Sequence, residues 1–210
     1  MLQCGNHMDR KVEIKDQKYI FNDFFKIEEC KVSYEKFDGS RTPFIRRLCF
    51  ERGDSVAALV LNRDDQKILL VNQFKYPTFK KGPGWITEIV AGMLGPDEKP
   101  EEAVRREVFE EIGYRIDVLE LIAKFYVSPG GTSERIWLYY AEVTNEGKEG
   151  SGGGSLKENE DIMMEEVSLS KLNAYISGGQ IQDAKTLLAL LWLQRRLEPQ
   201  MMLQTKSKSG

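Results

Sequence analysis

The chain has 210 residues and 24.1 kDa, with 41% hydrophobic, 30% charged and 10% aromatic residues, which is the profile of a folded chain of ordinary domain size. Thirty Lys+Arg against 33 Asp+Glu leave a net charge of −3, so the bulk attraction on which non-specific nucleic-acid binding depends is missing. The single histidine, His7, sits in a polar N-terminal segment. That argues against histidine triads and histidine-rich metal centres and leaves chemistry to carboxylates, arginines and lysines.

The first residues carry no apolar stretch with a small-residue cleavage site, so no signal peptide is expected. The longest apolar run, Leu187 to Leu193, is far too short to span a membrane. Cys4, Cys30 and Cys49 are odd in number and lack metal-like spacing, which fits free thiols in a reducing cytoplasm.

Along the chain, residues 1–15 read as a loose end. Two runs rich in Phe, Ile, Val, Tyr and Cys, Phe24 to Phe37 and Phe44 to Phe50, flank Asp38-Gly39 and predict a β-hairpin. Val56 to Leu61 and Ile68 to Val71, either side of a polar turn, predict strands buried on both faces. Lys80 to Gly84 is a breaker-rich loop leading into an extended Trp85 to Val90. Pro100 opens and Gly113 closes a helix. Strands follow near Val118 to Val127 and Ile136 to Val143, broken by Ser128-Pro129-Gly130-Gly131. Asn145 to Asn159 is a long glycine-rich, charged loop. A strand near Ile162 to Val167 and two helices complete the domain, the second capped by Asp183 and followed by a tail. This order predicts a mixed sheet covered by helices.

The chemistry concentrates in Gly92 to Tyr114. Glu107, Glu110 and Glu111 share an arc of the helix about 100° wide, beside an apolar stripe of Val104, Val108 and Ile112. Carboxylates so close repel one another, and a hard divalent cation that prefers oxygen ligands removes the repulsion. The alternative is a solvated acidic face.

The spacing decides between them. Gly92, Glu98, Arg106-Glu107-Val108, Glu110-Glu111 and Gly113-Tyr114 stand at every fixed position of the Nudix box, with Tyr114 where an aliphatic residue is usual. Over roughly Val56 to Leu197 the chain resembles the Nudix hydrolases, and within them the ADP-ribose pyrophosphatase and nucleotide-sugar pyrophosphatase branch. The resemblance implies an α/β/α sandwich carrying an N-terminal antiparallel β subdomain, with residues 16–55 forming the hairpin subdomain, 56–198 the hydrolase domain and 199–210 a tail.

It further implies metal ligation by Glu107, Glu110, Glu111 and the carbonyl of Ala91, with two or three Mg²⁺ or Mn²⁺ ions. Glu98 and Arg106 become an orienting ion pair, and Gly92 and Gly113 structural positions of the box. Glu158 resembles the general base on a mobile glycine-hinged lid, acting with Glu110 and Glu111, and Glu160 an additional metal-associated carboxylate. Pro129 resembles the turn proline of the ADP-ribose branch, and Glu134 a contact to the distal ribose. Arg47, Arg52 and Lys75 stand where basic residues meet the diphosphate or ribose, Lys75 replacing a more usual arginine. Trp85 either stacks on a base or packs in the core.

The expected activity is hydrolysis of the pyrophosphate bond of ADP-ribose to AMP and ribose 5-phosphate, or of a related nucleotide sugar. GDP-mannose or another nucleotide sugar is the alternative substrate, and a non-catalytic sensor of such ligands the alternative class. A homodimer formed through the N-terminal segment is expected, with Arg47 or Arg52 acting across it.

Overall fold

The computed structural model describes residues 10–155 and 159–207, with side chains to residue 197. The chain divides into two compact units, one running up to Asp54 and including Tyr126–Arg135, the other comprising Ser55–Phe125 and everything from Ile136 on.

The first unit is a three-stranded antiparallel sheet in the order β1-β2-β3, of β1 (Val12–Asn22), β2 (Lys26–Tyr34) and β3 (Ile45–Glu51). The hairpin predicted around Asp38-Gly39 is β2 and β3, with Gly39 at φ 80°. β1 is a correction, because it begins inside the stretch expected to be loose. Val12 and Ile14 alternate with Glu13 and Lys15 in strand fashion, but the register shifts after Lys15, where Asp16 takes φ 53°, and the shift hides the period.

The second unit is built on a seven-stranded mixed sheet. Its path runs β10 (Ile162–Ser168), β5 (Lys67–Phe74), β4 (Ser55–Asn62), β9 (Arg135–Val143), β8 (Val118–Tyr126). β4 pairs antiparallel with β5 and parallel with β9, so the mixed sheet is as expected. The extended run from Trp85 is in fact two strands: β6 (Trp85–Glu88) pairs with β5, and β7 (Val90–Met93) crosses to β4. Ile89 lies at the switch, where its N–H donates to Thr186 Oγ1 at 2.9 Å.

All eight residues of β4 are buried, and they alternate between two cores. Val56, Ala58 and Val60 pack with Val104, Val108 and Ile112 of α2 (Pro100–Ile112). Ala57, Leu59 and Leu61 pack with Leu172 of α3 (Leu172–Ser177) and with Ala189, Leu190 and Leu193 of α4 (Ala184–Ser207). A central strand apolar on both faces thus needs a helix on each side, which is the expected sandwich. One short helix, α1 (Tyr76–Phe79), was not foreseen in the breaker-rich loop. Asp183 caps α4 as expected, accepting from Thr186 N at 2.8 Å and Thr186 Oγ1 at 2.5 Å. α4 itself runs on to Ser207, through the segment expected to be a tail.

The C-terminal end of α2 is held by the long loop. Gly113 closes the helix in the left-handed region at φ 73° and accepts from the N–H groups of Glu149 and Gly150, both at 3.0 Å. Gly153 N donates to Glu111 O at 2.9 Å, Gly154 N to Glu110 O at 3.0 Å, and Lys148 Nζ to Ile112 O at 2.5 Å. The carbonyls that a helix leaves open at its end are therefore satisfied by this loop. The expectation that Gly152–Gly154 form a free hinge is corrected: two of the three glycines donate to α2, and a Cβ on Gly152 would lie 2.7 Å from Glu111 O.

We expect Gly113→Ala to lose at least about 2 kcal/mol in urea unfolding, because a side chain in the left-handed region costs about 1–2 kcal/mol. The added Cβ would also sit 2.2 Å from the Gly150 carbonyl. An unchanged unfolding midpoint would show that the docked loop does not hold α2.

Candidate active site

β7 and α2 build the site. Glu98 leads into α2 and accepts Gly95 N on Oε2 at 2.9 Å, which fixes the loop between strand and helix. Arg106 then grips both Glu98 oxygens, Nε to Oε1 at 3.0 Å and Nη2 to Oε2 at 3.1 Å, and also reaches the Met93 carbonyl at 3.2 Å. This fork fits a carboxylate as an ammonium cannot. The bond to Arg106 holds Glu98 below its usual carboxylate range. The remaining Arg106 nitrogen, Nη1, donates to Glu107 Oε1 at 2.8 Å and Glu110 Oε2 at 3.1 Å. One guanidinium thus binds the turn and two carboxylates together.

Gly92 is required for space. A Cβ there would lie 2.0 Å from the Glu107 carboxylate, which fills the room that glycine leaves. Burial raises Glu107 above its ordinary range, against the pull of Arg106, with Glu110 and Glu160 adding to the rise.

Glu111 is the extreme case. It is 4% exposed, and its Oε2 meets no hydrogen-bond donor among the described residues. Burial pushes its pKa up to about 9, with the charges of Glu107, Glu88 and Glu160 acting in the same direction and Lys75 against them. A buried carboxyl without a donor costs free energy unless a proton or a cation joins it. The oxygen-only donor set and the orphaned oxygen fit a hard divalent cation. Glu107, Glu110 and Glu111 are not gathered as a finished cage. Among the described residues no three of His, Cys, Asp and Glu converge for a metal, since Glu107 and Glu110 both face Arg106.

Glu160 is brought to this cluster by the docked loop. Its Oε2 accepts from Ser155 N at 2.8 Å, and a Cβ on Gly154 would lie 2.7 Å from it. Glu158, expected as the base, lies outside the described residues. Ala91 precedes Gly92 in β7, opposite Ala57 of β4.

The family follows from this region and its surroundings. A NUDIX domain is matched over residues 51–189, well over half of the chain. The chain belongs to the NUDIX family. Among curated proteins it is 34% identical to a GDP-mannose pyrophosphatase of Cronobacter sakazakii, over 90% of this chain and 98% of that one. It is 33% identical to a GDP-mannose pyrophosphatase of Pectobacterium atrosepticum, over 87% and 94%. Among solved structures it resembles an ADP compounds hydrolase, with a TM-score of 0.70 at 19% identity over 90% of this chain and 96% of that one, which is a likeness of fold.

Other candidate residues of the Nudix domain stand as follows. Lys75 Nζ lies 3.5 Å from Glu88 Oε1. Glu88 and its second partner Lys185, both largely buried, were not singled out from sequence. The available signal was one carboxylate inside the apolar run Trp85 to Val90. Trp85 is 61% exposed, which removes the core alternative, and meets Phe74 edge-on at 5.1 Å.

The first unit holds Arg47, Arg52, Pro129 and Glu134. The turn at Pro129 is tied to the end of β3: Phe50 N donates to Gly131 O at 2.8 Å, and Ser133 Oγ bonds Glu51. Glu134, 7% exposed, faces Arg52, whose Nε is 3.7 Å away. These two, expected to meet the substrate separately, are partners of each other. Arg47 donates to the Arg46 carbonyl at 3.0 Å.

The raised Glu111 has a consequence for the metal-free protein. Between its ordinary 4.5 and about 9, the folded chain keeps a proton that the unfolded chain has lost, so this group lowers stability as pH rises through that window. We expect Glu111→Gln, in chelator, to melt higher than the parent at about pH 8.5 and to show a flatter pH dependence, with the two converging near about pH 4. Parallel pH curves would refute the buried protonated carboxyl.

Proposed function

We propose that this Nudix hydrolase cleaves the pyrophosphate bond of a nucleoside diphosphate sugar, with GDP-mannose the favoured substrate. The observation that carries the reaction is Glu111, a buried carboxyl on the box helix whose Oε2 meets no donor among the described residues and which sits among like charges. Support for GDP-mannose over ADP-ribose, which the turn at Pro129 put first, comes from the names of the relatives that align along nearly the whole chain.

Glu107, Glu110 and Glu111, with the Ala91 carbonyl and Glu160, would hold the divalent cations, Mg²⁺ or Mn²⁺, two or three per site. Bound there, such ions neutralise diphosphate oxygens and polarise water. The chain's own residues set the geometry. Arg106 holds Glu107 and Glu110 in place through its grip on Glu98. Glu158 takes the proton of the attacking water, and Lys75 meets a phosphate oxygen. Water adds to one phosphorus as the bridging P–O bond breaks, giving GMP and mannose 1-phosphate, or AMP and ribose 5-phosphate from ADP-ribose. Trp85, exposed beside Phe74, offers a face to a base.

We also propose a homodimer through the first unit. β1 is an 11-residue edge strand exposed throughout, and Val12, Ile14 and Phe21 are each more than half exposed, which an edge strand tolerates poorly without a partner. Cys30 and Cys49 are free thiols, Cys30 opposite Arg47 and Cys49 opposite Glu28, which supports a reducing, cytoplasmic setting. Among the described residues no helix is long and apolar enough to cross a membrane.

Hydrolysis of GDP-mannose, ADP-ribose, ADP-glucose, UDP-glucose and NADH with Mg²⁺ tests the reading. We expect GDP-mannose to be preferred, and Glu111→Gln to lower kcat by at least about 100-fold with KM changed far less. Preference for ADP-ribose would move the substrate and keep the mechanism. Tight binding without turnover would make the chain a sensor. Light scattering should give twice the monomer mass, and a monomer would refute the dimer.

A further inference from the structure

Glu88 is 7% exposed, and two lysines share its carboxylate unequally. Lys185, from the first turn of α4, bonds Oε2 directly. Lys185 is held a second time by Asp183 Oδ1 at 3.0 Å, and Asp183 is itself fixed by capping Thr186. The Thr186 hydroxyl accepts from Ile89 N, the residue after Glu88, so the whole group is locked between β6 and α4. Lys75 is the looser partner. Its ammonium stands 3.5 Å from Oε1, beyond a good charged hydrogen bond, and its side chain is 39% exposed against 13% for Lys185. The charge of Lys75 also opposes the rise of the Glu111 pKa, to which the charge of Glu88 adds.

From this geometry we infer that Lys185 is a positioning residue: by serving as the fixed counter-ion of Glu88, it leaves Lys75 free to turn from Glu88 to a phosphate of the substrate. A buried carboxylate with only one cation would keep that cation, because breaking a buried pair leaves an uncompensated charge. With Lys185 in place Glu88 stays compensated when Lys75 departs. A lysine suits this exchange, being a compact charge on a flexible stem. The inference rests on the proposed diphosphate substrate and assigns a role to a residue that touches neither substrate nor metal.

The test compares wild type, Lys185→Met, Glu88→Gln and the double variant by KM and kcat on the nucleotide sugar that wild type hydrolyses. Dissociation constants for GDP and melting temperatures are measured alongside. Lys185→Met should raise KM and the GDP dissociation constant about tenfold, with kcat within about threefold, because Lys75 is then held by Glu88. Removing both charges should return KM to within about threefold of wild type, a recovery that loss of packing alone would not give. Glu88→Gln alone should not raise KM.

A folded Lys185→Met with unchanged KM would overturn the inference, as would a double variant that melts like wild type yet keeps the raised KM. If Lys185→Met does not fold, the double variant and Glu88→Gln decide on the same criterion. A wild-type chain that hydrolyses a nucleotide sugar while the variants behave otherwise refutes only this inference. One that neither hydrolyses nor binds refutes the proposed function with it.

Discussion

A buried carboxyl, one of whose oxygens meets no donor among the described residues, organises this molecule. Glu111 is buried on a helix that already carries Glu107 one turn earlier, and Glu88 and Glu160 add their charges from a strand and a loop. Desolvation and repulsion both work against its ionised form. Folding stability would be served by an apolar residue there. A glutamate under those conditions is stabilised by a proton or a cation, and the carboxylates gathered around it fit a hard divalent cation.

Much of the second unit can be understood as the means of keeping those charges in place. β4, apolar on both faces, anchors α2 against one side of the sheet and α4 against the other. Arg106 clamps the entrance of α2 through Glu98, while the backbone of the long loop caps its exit through Gly113, Glu110 and Glu111. Glycine is needed where backbone or carboxylate comes too near for a side chain, at Gly92 against Glu107 and at Gly113 against Gly150. The same loop that caps the helix carries Glu160 to the site, so the helix terminus and the charge cluster are secured by one segment. On the opposite side, α4 contributes through Asp183, Thr186 and Lys185, which fix the strand switch at Glu88 and Ile89.

The parts of this arrangement that were legible in the sequence are those carried by local pattern. The apolar runs of β4 and β5, the Pro100-to-Gly113 helix and the Asp183 cap each state their conformation within a few residues. The box carboxylates were legible because their spacing on one helix is also a spacing in space. β1 was obscured by a register shift at Asp16 that breaks its alternation. Gly152–Gly154 suggested freedom, since composition does not reveal that the N–H groups of Gly153 and Gly154 meet α2 some forty residues away in sequence. Lys185 and Glu88 were missed for a related reason. Their burial depends on a pairing across 97 residues, and lysine in a helix is ordinarily a solvated residue. Arg52 and Glu134 were each legible as charged candidates, but their proximity depends on the Pro129 turn being tied to β3.

The most direct test of the account is proton release on metal binding, measured by titrating Mn²⁺ into the metal-free protein at about pH 7.5 in buffers of different ionisation enthalpy. If Glu111 is a protonated buried carboxyl that becomes a ligand, binding should release on the order of one proton per chain, and Glu111→Gln should bind more weakly and release close to none. Binding with no proton release, or release undiminished in the Glu111→Gln variant, would contradict the claim that this carboxyl is held in reserve for the cation.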